Sequence, residues 1–237
     1  MSPVTVDDPR PLVLPDVGTL HDWSVLTGRA QRLDEDAAMR LSVHGDVLVL
    51  SVAPLYPHGL GDSTPLALGM RMLRLADPSH DGLDVVVPAA ALSDRFARAR
   101  SEDSLSIPVP PQEVRVSWTG ISPPRGPWGP AGTLPTESLR AAARAGIEEV
   151  AAGTPQVAGS HAVSALRRQV WARPIEVAGA SGAEDGGAVS DVPVPAAVAF
   201  AMEGLGFLAA EAPVEVRTSG PWVRVSSPVG HVLTRVH

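Results

Sequence analysis

The chain of 237 residues contains no cysteine, no lysine and no asparagine, and aromatic residues make up only 4% of it. Without cysteine there is no disulfide framework, thiolate zinc site, iron–sulfur cluster or thiol nucleophile. Without lysine there is no phosphate loop of the Walker type, no kinase-type lysine and no Schiff base, so all nineteen basic residues are arginine. Long apolar runs are missing too. Val47 to Pro57 and Val192 to Met202 are the longest, and each falls well short of the ~20 residues of a spanning helix, so no membrane partner is expected. The first ten residues carry Asp7 and Asp8 and no apolar core of a secretory signal, which together with the absence of cysteine leads us to expect a cytoplasmic protein.

The formal net charge is −7, and no run of arginines is longer than Arg167-Arg168. A polyanion is held by a net positive face, so nucleic acid is not expected as a partner. The seven histidines, at 21, 44, 58, 80, 161, 231 and 237, include no pair spaced as two ligands on one helix or strand. Neither a metal nor an organic cofactor is expected. Gly204 to Ala209 matches a dinucleotide-binding pattern in letters alone, since a helix-like segment precedes it where a strand is required.

What is present reads as an α+β protein: a β-rich N-terminal part of short antiparallel strands, then a three-helix segment closed by a small β-meander. Residues 1–20 are rich in proline and acids and read as a loose arm with one short edge strand. Asp22 to Asp36 is ambiguous, because Trp23, Leu26 and Ala30 have helical spacing whereas Thr27 and Gly28 argue for an interruption. Residues 21–120 form the β-rich part. Met39, Leu41 and Val43 alternate with polar residues, His44-Gly45-Asp46 supplies a turn, and Val47 to Val52 suits a buried strand. Further strands are predicted over Leu66–Leu75, Leu83–Val87, Leu105–Val109 and Glu113–Thr119, with a short helix over Ala89–Arg100. Residues 121–135 hold five prolines and three glycines and read as a linker or long ordered loop.

From 136 to 237 the period changes to ~3.6. Thr136 is placed as the cap of a helix with Leu139, Ala143, Ile147 and Val150 on one stripe. A second helix is predicted over Ser160–Ala172, a mobile surface loop over Gly179–Ser190, and a third helix from about Pro195. Val214–Thr218, Trp222–Ser226 and His231–Val236 read as three strands.

Two segments carry candidate function. Pro54 to Pro65 packs Tyr56, His58, Asp62, Ser63 and Thr64 into a glycine-containing loop. His58 with Asp62 has the composition of an oriented general base and Ser63 that of a nucleophile, which would make the chain a small-molecule hydrolase. The same residues also suit an ordinary turn in which Asp62 and Ser63 bond the backbone. The second segment is the proline-rich stretch with Trp118, Arg125 and Trp128, residue types favoured at protein interfaces; with Tyr56 they form the expected binding set. Given the lack of a catalytic signature, the leading expectation is a non-catalytic module that binds a protein partner or itself, with the hydrolase as its alternative.

Trp23-Ser24-Val25-Leu26-Thr27-Gly28-Arg29-Ala30 and the segment Trp222 to Leu233 resemble parts of hypothetical proteins from high-GC actinobacteria. The resemblance implies a bacterial cytoplasmic setting and assigns no activity, cofactor or site residue.

Overall fold

The computed structural model describes residues 11–59, 61–153, 160–175, 192–208 and 211–236. It is an α+β fold in two compact units, one made of residues up to Pro54 with Met70–Thr119, the other of Leu55–Gly69 with Gly120 onward. The loop expected over Gly179–Ser190 and the first ten residues of the expected arm lie outside the described residues.

Wholly or for the greater part in the first unit are β1 (Leu12–Val13), α1 (Val17–Leu33), β2 (Ala38–His44), β3 (Val47–Leu55), β4 (Ala67–Arg74), β5 (Asp84–Pro88), α2 (Ala89–Ser101) and β6 (Ser106–Ile107). The strand order is β5-β2-β3-β4, and β1 pairs separately with β6. The β2–β3 hairpin closes on Gly45 and Asp46, with Gly45 at φ 62°, a conformation that suits glycine. Leu48, Leu50 and Val52 of β3 are buried, as the apolar run requires.

The arm expected over residues 1–20 is corrected from residue 12 onward, because Leu12–Val13 pair with β6 and Val17 begins a helix. Asp16 caps that helix by accepting from the Thr19 amide at 2.7 Å. Nor do Thr27 and Gly28 interrupt it. The Thr27 hydroxyl donates to the Trp23 carbonyl one turn back at 3.0 Å, which satisfies a buried polar group inside the helix. Leu20, Trp23, Leu26, Thr27 and Ala30 form the buried stripe of α1, and the Trp23 ring meets Phe96 of α2 edge-on at 5.2 Å.

The strand expected over Glu113–Thr119 does not form. The Val114 amide donates to the Val86 carbonyl of β5, but no ladder follows from it. From Ser117 to Gly120 the chain makes a 3-10 turn, closed when both the amide and the hydroxyl of Thr119 donate to the Val116 carbonyl.

The second unit holds β7 (Gly129–Leu134), α3 (Thr136–Ala152), α4 (Ser160–Trp171), β8 (Pro174–Ile175), β9 (Val194–Pro195), α5 (Ala196–Gly204), β10 (Val214–Ser219), β11 (Trp222–Ser227) and β12 (Gly230–Arg235). Its strand order is β12-β11-β10-β7, so the expected three-helix segment is followed by the expected meander. Part of the stretch expected as a linker is the strand β7. Pro130 is tolerated there because β7 ends the strand order, and the register shifts beside it, where Gly132 opposite Val216 gives way to Pro130 opposite Arg217.

Thr136 is not the cap of α3; Pro135 holds that position, and the Thr136 hydroxyl donates to the Ala212 carbonyl at 2.7 Å. The buried stripe of α3 is Thr136, Leu139, Ala143 and Gly146, while Ile147 is 47% exposed. The side of α3 at Gly146 meets the buried ring of Trp171 from α4, which in turn packs on Phe200 of α5 at 4.6 Å. A Cβ on Gly146 would come within 2.4 Å of that ring.

Alanine is the better helix former, so propensity alone says that Gly146→Ala stabilises. The contact with Trp171 reverses the sign. Urea unfolding of Gly146→Ala should show a loss of about 1–3 kcal/mol, the range for overpacking a filled core. A variant at least as stable as the parent would show that α4 yields to α3 without cost.

Candidate functional site: a proline-lined cleft in the second unit

Leu55 to Leu66 runs between β3 and β4 and contains two prolines, Pro57 and Pro65, both of which line a cleft. Proline donates no amide hydrogen, so such a segment must draw its hydrogen bonds from side chains. Asp62 supplies the acceptors. Its Oδ2 accepts from the His58 amide at 2.9 Å, and its Oδ1 accepts from the Thr64 amide at 2.9 Å and the Thr64 hydroxyl at 2.7 Å. The Asp62 amide donates to the Gly59 carbonyl, and Gly61 takes φ 83°. These donors, the His58 amide first, hold the Asp62 carboxyl down to a pKa of about 2, with a smaller contribution from the Arg168 guanidinium.

The carboxylate of Asp62 is therefore joined to the backbone of His58 and not to its ring. The imidazole of His58, exposed, packs against the Tyr56 ring with centroids 4.4 Å apart and the planes tilted by 42°. Ser63 is exposed, and among the described residues no imidazole or carboxylate accepts from its hydroxyl. An anion saturated with donors and acidic to this degree is a poor proton acceptor at neutral pH. The arrangement is that of a turn.

What the turn builds is one wall of a cleft of about 330 Å³. Pro57, Asp62, Ser63, Thr64, Pro65 and Leu66 line it from this segment. Facing them are Pro174 of β8 and Pro195 of β9, with Arg235 and Val236 at the end of β12. The β8–β9 pairing sets Pro174 directly opposite Pro195. The lining is mostly apolar, with one carboxylate, one guanidinium and two hydroxyls as its polar groups. Among the described residues no carboxylate pairs with Arg235, and the structure brings no group of three or more histidine, aspartate or glutamate side chains together as a metal site. No described helix is long and apolar enough to cross a membrane.

The other residues expected at a binding surface are placed as follows. Trp118 belongs to the first unit and is 3% exposed, a correction, since a buried ring offers no surface to a partner. Arg125 is exposed. Trp128 is half-buried and lies under the Arg224 guanidinium at 4.7 Å. Arg224 is a partly desolvated cation whose pKa burial depresses, and its Nε has no hydrogen-bond partner among the described residues. The indole face thus serves an arginine of its own chain. Next to Arg224 along β11, Ser226 faces His231 of β12, with Oγ and Nδ1 2.9 Å apart. Burial, and then the Arg224 charge, push the His231 pKa below its usual 6.5.

The cleft residues that sequence reasoning missed are Pro174, Pro193, Pro195 and Arg235. The only available signal was the proline density itself, which recurs in segments more than one hundred residues apart and carries no information about which of them meet.

Residues 7–120 match the family model described as a domain of unknown function (DUF8010), and residues 123–237 match another, also described as a domain of unknown function (DUF8185). No curated protein matches the chain. Among solved structures, the chain is similar to the DNA polymerase III subunit beta from Pseudomonas aeruginosa, with 16% identity and a TM-score of 0.48 over 92% of this chain and 62% of that one. It is also similar to pol III beta of Caulobacter crescentus, with 13% identity and a TM-score of 0.47 over 92% and 63%. A sliding clamp from Bartonella birtlesii bound to griselimycin matches with 11% identity and a TM-score of 0.48 over 96% and 65%. The chain thus spans less than two thirds of the length of these structures.

Two pH effects follow. The folded-state pKa of Asp62 lies below its unfolded value of 3.8, so its contribution is complete above pH 3.8 and is lost as the pH falls toward 2. Asp62→Ala should therefore cost about 1 kcal/mol in urea unfolding at pH 7, the scale of a net hydrogen bond, and progressively less from pH 4 downward. A cost that does not change with pH would contradict the bonding described. For His231 the folded pKa is also the lower one, so its contribution is present above pH 6.5 and lost on acidification. The urea midpoint of the parent should rise from pH 5 to pH 7 more steeply than that of His231→Gln, and superimposable profiles would refute the burial of the imidazole.

Proposed function

We propose that the chain is a non-catalytic protein-binding module, and that a short segment of a partner protein lies in the proline-lined cleft of the second unit. The observation that supports this most directly is the cleft wall itself, a turn whose one potential base, Asp62, is committed to holding backbone. A concave surface of prolines and aliphatic side chains is rigid before binding, so a partner side chain buries apolar area there without ordering the receptor. Arg235, which no described carboxylate neutralises, sits at the same cleft and favours a segment with an acidic residue beside its apolar one. The hydroxyls of Ser63 and Thr64 add polar partners for an extended backbone.

The test uses a library of random linear peptides panned against the full chain, followed by fluorescence polarisation with the enriched sequences. Those sequences should pair an apolar residue with Asp or Glu. They should lose about tenfold or more in affinity for Ser63→Trp, which fills the cleft from an exposed position, and for Arg235→Glu, which reverses its charge; tenfold corresponds to ~1.4 kcal/mol. Peptides that bind both variants as well as the parent, or turnover of an ester substrate abolished by His58→Ala and Ser63→Ala, would overturn the reading.

A further inference from the structure

In the first unit Arg40, Arg71, Arg74 and Arg98 each lie against a carboxylate. Arg29, Arg32 and Arg100 do not, and among the described residues none of the three has an acidic partner. All three line one cleft of about 390 Å³, which they share with Ser24, Gly28 and Ser93 and whose lining includes no acid. In a chain with 26 acids and 19 arginines, three unneutralised guanidiniums around one hollow are a local inversion of the overall charge.

The two helices build this hollow from stripes. Ser24, Gly28 and Arg32 recur at intervals of four on α1, and Ser93, Phe96 and Arg100 at intervals of three and four on α2, so each set shares a face. Gly28 stands in the middle of α1, where glycine costs helix stability. Neither backbone nor close packing demands it, since a Cβ there would meet only the Arg32 Nη1, at 3.8 Å. What glycine provides at this position is room. The hydroxyls are already oriented: Ser24 donates to the His21 carbonyl at 2.9 Å and Ser93 to the Gln31 Oε1 at 2.6 Å. Each therefore turns oxygen lone pairs outward as acceptors for a ligand hydroxyl.

The geometry points to a binding site for a small phosphate ester of a sugar or polyol. The guanidiniums of Arg29, Arg32 and Arg100 take the phosphate oxygens, and Ser24 and Ser93 accept from the hydroxyls. Planar guanidinium forks match phosphate oxygens in pairs, and a hollow of this volume is in the range of small-molecule sites. The site lies in the first unit and does not depend on the peptide cleft of the second.

The test is calorimetric titration of the full chain with fructose 1,6-bisphosphate, with inorganic pyrophosphate and a short DNA duplex as separate arms. The bisphosphate should bind one to one and more tightly than pyrophosphate, and raise the melting temperature. Arg29→Gln, Arg32→Gln and Arg100→Gln should each weaken it about tenfold or more, as loss of one charge-assisted contact does, while Arg98→Gln should not. Gly28→Ala should raise the melting temperature of the free protein and still weaken the bisphosphate, an opposition that damage to the fold does not produce. No saturable binding of the ester, binding that the three substitutions leave unchanged, or a duplex held more tightly than the ester by these arginines would each overturn the proposal.

Discussion

The segment from Leu55 to Leu66 has prolines where a turn would otherwise find amide donors, and the carboxylate of Asp62 compensates by collecting two amides and a hydroxyl from within six residues. Everything read from the second unit's cleft depends on this. With the carboxylate so engaged, Pro57, Ser63 and Pro65 are held in one wall, and the same bonds that shape the wall remove Asp62 from proton chemistry. Electrostatics and packing act together: the donors that depress its acidity are the backbone groups that would otherwise be left without partners.

Much of the fold was legible where one period dominated. The β2–β3 hairpin, α2, α5 and the closing meander follow from alternation, from helical spacing and from glycine or proline at their ends. Two of the errors share a cause, a side chain competing with or completing backbone hydrogen bonds. Thr27 looked like a helix breaker and is absorbed by its bond to Trp23, while Thr119 looked like part of a strand and closes a turn. Gly129–Leu134 reads as a linker because Pro130 and two glycines forbid a central strand, but they do not forbid the end position that it occupies.

The candidate sites were less legible, for a different reason. Asp62 and Ser63 were singled out by composition, and composition does not say whether a carboxylate faces a ring or an amide. Pro174, Pro195 and Arg235 reach the cleft through the tertiary fold, a relation that local periodicity does not encode. In the first unit, Arg29, Arg32 and Arg100 are dispersed in the sequence and diluted by an acidic total; four other arginines there are paired with carboxylates, and these three gather around one hollow. Net charge set the expectation of no polyanion, whereas binding is decided by the charge around one hollow.

Amide hydrogen exchange, read residue by residue at neutral pH, tests the role of Asp62 most directly. If its carboxylate holds the cleft wall, the amides of His58 and Thr64 exchange far more slowly than that of the exposed Gly59 between them, and Asp62→Ala abolishes the difference. Equal exchange at all three positions in the parent protein would mean that the carboxylate is free, and both the rigid wall and the exclusion of Asp62 from chemistry would fall with it.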